Sequence, residues 1–245
     1  MEHRILWTGG WDSTFRVLDL VLNKKKNIQP YYILDERRAS TEIEIATMEK
    51  IKEMMKELDP QSIYRIKDTI YFERNKIPEN KKITKYYEVL KTQSHLGDQY
   101  DWLARYTESE GIKNLELCIH IDDTVEGFIK NDVKLITTDY DRYYELIEHP
   151  SQKELEIFSY YRYPLFDMTK IEMGEIAKES GFFHIMEETW FCHYPYKGKP
   201  CGMCNPCRYT KEEGLGRRVP NPTIFMKLNR KVSRKLRGLK RRITR

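Results

Sequence analysis

An α/β fold, with a parallel sheet carrying helices on both faces and a small metal-binding lobe after it, is the architecture predicted by this 245-residue sequence. Three observations carry the prediction. Apolar strand-like runs alternate with amphipathic helix-like runs, which demands crossovers and hence parallel pairing. A Thr-Gly-Gly turn joins the first strand to the first helix. Four cysteines crowd one short segment near the C-terminus.

Residues 3–8 read as a buried strand, and apolar positions 15, 17, 18, 21 and 22 put a helix over Asp12 to Lys25. NIQPYYILD (27–35) is the second strand. STEIEIATMEKIKEMMKELDP is a long helix, with Thr41 and Glu44 as its capping box and Asp59-Pro60 as its stop. SIYRIKD (62–68) reads as the third strand, and residues 70–94 are polar and resist assignment. GDQYDWLARYTESEG (97–111) is a helix ending at Gly111, followed by the buried strand NLELCIHI (114–121). Residues 122–150 are again ambiguous. YYRYPLFD leads into the helix TKIEMGEIAKESG, with Thr169 and Glu172 as capping box and Gly181 as stop. There are no internal repeats. The expected divisions are an α/β domain over 1–185, a metal-binding segment over 186–215 and a basic tail over 216–245.

Composition narrows the class. With 40% hydrophobic residues the chain can bury one sizeable core plus an appendage, and no apolar run reaches membrane-span length. The opening Met1-Glu2-His3-Arg4-Ile5 enters a strand-like run directly, so no secretory signal is expected. Five cysteines in a chain of this size do not read as a disulfide scaffold, and a reduced, cytoplasmic protein is expected. The net charge of +5 hides an asymmetry. Ten of the 43 Lys and Arg, and none of the 38 acids, fall in KLNRKVSRKLRGLKRRITR (227–245), so the body is mildly acidic.

In the turn Thr8-Gly9-Gly10, glycine lets the chain curl with its N–H groups inward, and the next helix adds its unpaired N-terminal donors. Ser13 and Thr14 supply hydroxyls, and Asp12 can cap the helix or help hold magnesium. No Gly-Lys-Ser/Thr ending follows, so this is not the common nucleotide P-loop. The spacing alone fits an anion seat and a plain strand-to-helix turn equally well. Cys192, Cys201, Cys204 and Cys207 suit a closed tetrahedral zinc site; an iron–sulfur cluster and a redox disulfide also use such cysteines. His193 is a weak competing ligand and reads rather as a bystander to Cys192. Cys118, in mid-strand, reads as a small buried hydrophobe, with a nucleophilic thiol as the sharper alternative.

The stretch TGGWDST resembles the Ser-Gly-Gly-x-Asp-Ser loop of the PP-loop ATP pyrophosphatases, with Thr8 in place of serine. YRYPLFDMTKIEMGEIAKESG, followed by ETWFCHYPYKGKPCGMCNPCRYTKEEGL, is similar to the Pro-Leu, Lys-x-Glu and Thr-x-x-Cys spacing of the 7-cyano-7-deazaguanine synthase family. The resemblance spans both ends of residues 5 to about 215. It implies a Rossmann-like sheet of the PP-loop type, a zinc lobe, and ATP, Mg2+ and Zn2+ as cofactors. It further implies a carboxylate activated as an acyl-adenylate, amide formation with ammonia, and dehydration to a nitrile. By motif position, Thr8, Gly9, Gly10, Asp12, Ser13 and Thr14 should hold the phosphates of ATP. Asp35 should approach the nucleoside and Lys170 should face phosphate, with Asp12, Ser13 and Lys170 closest to the chemistry.

The middle of the chain departs from the family. Asp98-Gln99 stand where the family has Arg-Asn, and HIDDTVEGFIKND replaces its Ser-Gly-Tyr-Pro-Asp-Cys-Arg stretch. His95, Gln99, His120 and Asp122 therefore lie where substrate is expected. A changed pocket on a preserved ATP engine follows, with 7-carboxy-7-deazaguanine or a related carboxylate and ammonia or another amine as partners. The alternatives are a PP-loop enzyme modifying tRNA through its tail and a nucleotide-binding adaptor without turnover. A homodimer is expected. In the tail, Leu228, Val232, Leu236, Leu239 and Ile243 form an apolar stripe on a cationic helix. That pattern suits an anionic membrane surface at the inner face, an acidic partner, nucleic acid or a solubilising tail. No aromatic residue follows Phe225, which weakens a single-strand nucleic-acid reading.

Overall fold

The computed structural model describes residues 2–121, 123–223, 225 and 227. The tail stripe and Asp122 lie outside them. β1 (His3–Leu6) turns through the glycines into α1 (Trp11–Leu18), which runs on as a π-helical stretch over Asp19–Asn23. β2 (Ile28–Leu34), α2 (Thr41–Leu58) and β3 (Ile70–Glu73) follow. Next come α3 (Lys81–Gln93), α4 (Gln99–Ser109), β4 (Leu115–Glu116) and α5 (Thr124–Ile129). β5 (Val133–Thr137) and β6 (Arg142–Leu146) form an antiparallel hairpin. β7 (Tyr161–Arg162), α6 (Lys170–Glu179), α7 (Phe183–Met186) and α8 (Asn205–Thr210) complete the order.

The main sheet has the order β3-β2-β1-β4-β7, with every neighbouring pair parallel. Strand residues alternate between two cores. Tyr31, Ile33, Leu115 and Leu117 pack with α3, α4 and α5, whereas Ile5, Trp7, Ile28 and Tyr32 pack with α1, α2, α6 and α7. Helices therefore cover both faces, as the alternation demanded. The chain builds outward from β1 to β3, then returns to place β4 on the other flank of β1. That reversal opens a crevice beyond the carboxyl ends of β1 and β4, where open α/β sheets bind ligands.

Several local expectations change. SIYRIKD is not the third strand. Ser62–Arg65 is a 3-10 turn, Ile66 makes one bridge to Ile28, and the strand begins at Ile70. Asp59 causes this: its side chain accepts from Gln61 N at 3.0 Å and from Arg65 Nη1 at 2.8 Å, closing a turn. β3 is a half-exposed edge strand, so it carries no apolar alternation to read. In the polar stretch, α3 is capped by Asn80, whose side chain accepts from Lys82 N and Ile83 N at 3.1 Å each. NLELCIHI keeps only two strand residues. Ile119 N bonds Leu117 O at 2.9 Å, and the buried run bends into the crevice instead. The Thr41–Glu44 capping box does not form. Ser40 is the N-cap, and Glu44 turns inward to accept from the Ser40 hydroxyl at 2.6 Å, the Tyr32 hydroxyl at 2.8 Å and Arg38 at 3.2 Å. The box at Thr169 and Glu172 does form.

A buried ionic cluster ties the hairpin to the sheet. Arg16 of α1 reaches Glu116 of β4 at 2.7 Å and Asp141, in the hairpin turn, at 2.5 Å. His3 lies 2.6 Å from Glu116, and Lys24 lies 2.9 Å from Asp141. The Arg16 guanidinium already supplies the positive charge that these carboxylates need.

Candidate active site

The glycine turn is built by contact with its neighbours. Gly9 has φ +68°, and a Cβ there would lie 3.1 Å from Glu44 O and 3.2 Å from Thr47 Cγ2, so the turn hugs α2. Its carbonyl accepts from Trp190 N at 2.8 Å, tying the turn to the chain that enters the cysteine segment. Gly10 is the N-cap of α1, and no side chain caps that helix. The N–H groups of residues 11–13 thus lack intrahelical partners, at a crevice lined by Thr8, Gly10, Asp12 and Ser13. This fits the phosphates of ATP. Ser13 Oγ accepts from Thr8 N at 3.5 Å. Thr14 is placed differently from expectation: it is fully buried and its hydroxyl accepts from Trp7 Nε1 at 3.0 Å. That hydroxyl belongs to the core beneath the turn.

Lys170 is the first residue of α6, held there by the capping box. Its Nζ lies 3.4 Å from Asp12 Oδ2 and 2.8 Å from Glu213 Oε2, the latter contact without hydrogen-bond alignment. Burial alone would push this ammonium down, but Asp12 and then Glu213 outweigh it and hold the pKa above its ordinary value. Asp12 Oδ1 is buried and has no hydrogen-bond partner among the described residues. An orphaned carboxylate oxygen beside a phosphate seat fits a magnesium ion. His120 is 3% exposed; its Nδ1 is bonded to Ile121 O, and its Nε2 stands 3.8 Å from both Asp12 Oδ1 and Glu213 Oε1.

Asp35, just after β2, borders a cavity of about 260 Å³ whose apolar walls include Leu6, Ile33, Trp102, Leu103 and Leu117. Burial works to raise its carboxyl, but hydrogen bonds from Arg74, at 2.5 Å, and from Arg37 N hold it below its ordinary value. Gln99 borders this cavity and also an outer cleft of about 630 Å³. His95 is exposed on that outer cleft, whereas His120 lines a third cavity of about 240 Å³ around Asp12 and Lys170. The structure therefore separates the two histidines. Cys118 borders the first cavity, half-buried, and burial pushes its thiol well above its ordinary value. That shift is opposite to the one that activates a cysteine as a thiolate nucleophile.

Sequence reasoning missed Arg38, Asp123 and Glu213 and treated His193 as a bystander. Arg38, Asp123 and His193 line all three cavities. Burial raises the Asp123 carboxyl, although Val125 N donates to it at 2.9 Å. Nothing in a local pattern marked Glu213, which reads as one of two acids before a glycine.

The four cysteines are buried together. Their sulfurs are separated by 3.9 Å (Cys201–Cys207), 3.8 Å (Cys192–Cys204) and 3.3 Å (Cys204–Cys207). Zn–S bonds of about 2.3 Å in a tetrahedron put sulfurs about 3.8 Å apart, so the set fits one such ion. These separations far exceed a disulfide bond, and thiolates on the different irons of a cluster would stand further apart. His193 is not in the group that a single ion can reach. Gly202 makes the knuckle possible: its φ is +68°, and a Cβ there would lie 2.3 Å from Pro220 O. Cys207→Ala leaves three ligands, so bound zinc is expected to fall well below about one ion per chain. Trp190 donates to Cys192 O at 2.7 Å, and its fluorescence should shift to the red as the lobe opens. Metal analysis and the emission maximum check this.

Among the described residues no helix is long and apolar enough to cross a membrane. A family model described as queuosine biosynthesis protein QueC matches residues 4–217. No curated protein matches the chain.

Proposed function

Because the chain belongs to the QueC family, whose activity is ATP-dependent nitrile synthesis in queuosine biosynthesis, we propose that it activates a carboxylate with ATP and joins it to ammonia or another amine. The substrate is 7-carboxy-7-deazaguanine or a related carboxylate. One observation carries the reading: the uncapped start of α1, Asp12 and Lys170 converge on the crevice between β1 and β4.

A carboxylate oxygen attacks the α-phosphorus, the bond to the β-phosphate breaks, and pyrophosphate leaves. The amine then attacks the acyl carbon and AMP departs. Where the product is a nitrile, a second ATP activates the amide oxygen for loss. Such transfers need positioning and charge neutralisation more than a strong base. The N–H groups after Gly10 and the Lys170 ammonium neutralise the leaving pyrophosphate, while the apolar cavity beside Asp35 takes the nucleoside. Asp12 would hold Mg2+, which supplies further neutralisation of phosphate charge, and the four cysteines would hold structural zinc. Gln99, Tyr100 and Asp123 line the same cavity as Asp12 and Ser13, which supports a place for the carboxylate beside them.

Zinc-loaded protein given ATP, Mg2+ and 7-carboxy-7-deazaguanine, with and without ammonium, is expected to release pyrophosphate only when the carboxylate is present. No release across a panel of carboxylates would overturn the proposal.

A further inference from the structure

Taking Lys170 as the phosphate-facing lysine of the reading above, we infer that Glu213 is its positioning residue and that the cysteine knot delivers it. Cys204 is the N-cap of α8 and Cys207 lies in its first turn. The chain runs on from α8 through Lys211–Leu215 and leaves helical geometry in a kink at Glu213 and Gly214. Gly214 there has φ +84°, and a Cβ on it would lie 2.5 Å from Ile171 Cδ1. The positive φ is what calls for glycine in this turn, which lies against Ile171, the residue beside Lys170. That contact sets Glu213 Oε2 2.8 Å from Lys170 Nζ, with the two side chains 16% and 13% exposed.

Two demands fall on Asp12. Its Oδ2 holds Lys170 at 3.4 Å, while its buried Oδ1 is free for a cation. A cation held by Asp12 would compete with the lysine for that carboxylate, and Glu213 would remain as the counter-ion that keeps the ammonium in place. A lysine stem has many rotamers to lose, so a second carboxylate partner restricts it before phosphate arrives. The metal knot is thereby joined to the phosphate seat by one carboxylate, beyond any role in holding the lobe folded.

The test is Glu213→Gln in the full, zinc-loaded chain, with Glu213→Asp as the charge-retaining companion. Zinc content should be unchanged and KM for ATP should stay within about twofold, while kcat for pyrophosphate release falls about 100-fold, the scale of a misplaced group. Glu213→Asp should recover part of that loss. Acylation of Lys170 by acetic anhydride, read by mass spectrometry at one pH, should be faster in Glu213→Gln. Unchanged kcat, a lower KM at unchanged kcat, or loss of zinc in Glu213→Gln would each overturn the inference. Wild-type protein that releases no pyrophosphate sinks the proposed function, yet the acylation comparison still decides Glu213: faster labelling supports it and equal labelling overturns it.

Discussion

Lys170→Met is expected to lower pyrophosphate release by roughly 10²–10³-fold, the usual cost of removing a preorganised group from developing charge. Methionine keeps most of the stem's volume, so the packing at the start of α6 should survive. The variant removes the cation and leaves Asp12 and Glu213 facing the crevice with their partner gone. Two carboxylates then repel the incoming phosphates, and KM for ATP should rise as kcat falls. Steady-state kinetics against ATP concentration, with the melting temperature as a control for folding, checks both. A variant with kcat and KM near wild type would remove Lys170 from the phosphate seat.

Arg16→Met is expected to cost about 3–5 kcal/mol, because it strands buried charge rather than losing a surface pair. Arg16 is 2% exposed and is the shared partner of Glu116 and Asp141. Burial opposes ionisation of both carboxyls, yet Arg16, with His3 on one and Lys24 on the other, holds both below the ordinary carboxylate range. Depressed folded pKa values contribute stability above the unfolded carboxylate values, about pH 4, and that contribution is lost as pH falls through the folded values. The gap between wild type and Arg16→Met should therefore be full near neutrality and narrow below about pH 4. At neutral pH the melting temperature should drop by roughly 10 °C. Denaturant melts at several pH values measure this, and a gap that widens on acidification would refute the assignment.

Two kinds of feature were legible from the residues alone. Local rules exposed the first: the glycine turn and the capping box at Thr169 and Glu172 each lie within a few residues and the four cysteines within sixteen, so residue type and spacing make them visible. Periodicity exposed the second, since strands buried on both faces and helices with one apolar face must alternate in a parallel α/β fold. Elements at the margin escaped. β3 is a half-exposed edge strand, and the strands of the hairpin β5–β6 bury only Leu146, so neither carries a burial pattern. NLELCIHI misled in the opposite sense, because a chain that bends into a crevice is as buried as a strand.

The sequence by itself thus determined the sheet-and-helix class and the crowding of four cysteines in one segment, while the spacing of the glycine turn fitted an anion seat and a plain turn equally well. The tertiary structure decided which charges meet. Glu213 reaches Lys170, Glu116 reaches Arg16, and Thr14 turns its hydroxyl into the core, each through contacts set by strand order and helix docking. The two ion pairs join residues far apart in the chain, and no local propensity specifies them. They follow from which backbones the fold brings within a few ångströms, and at that range burial makes each charge find a partner.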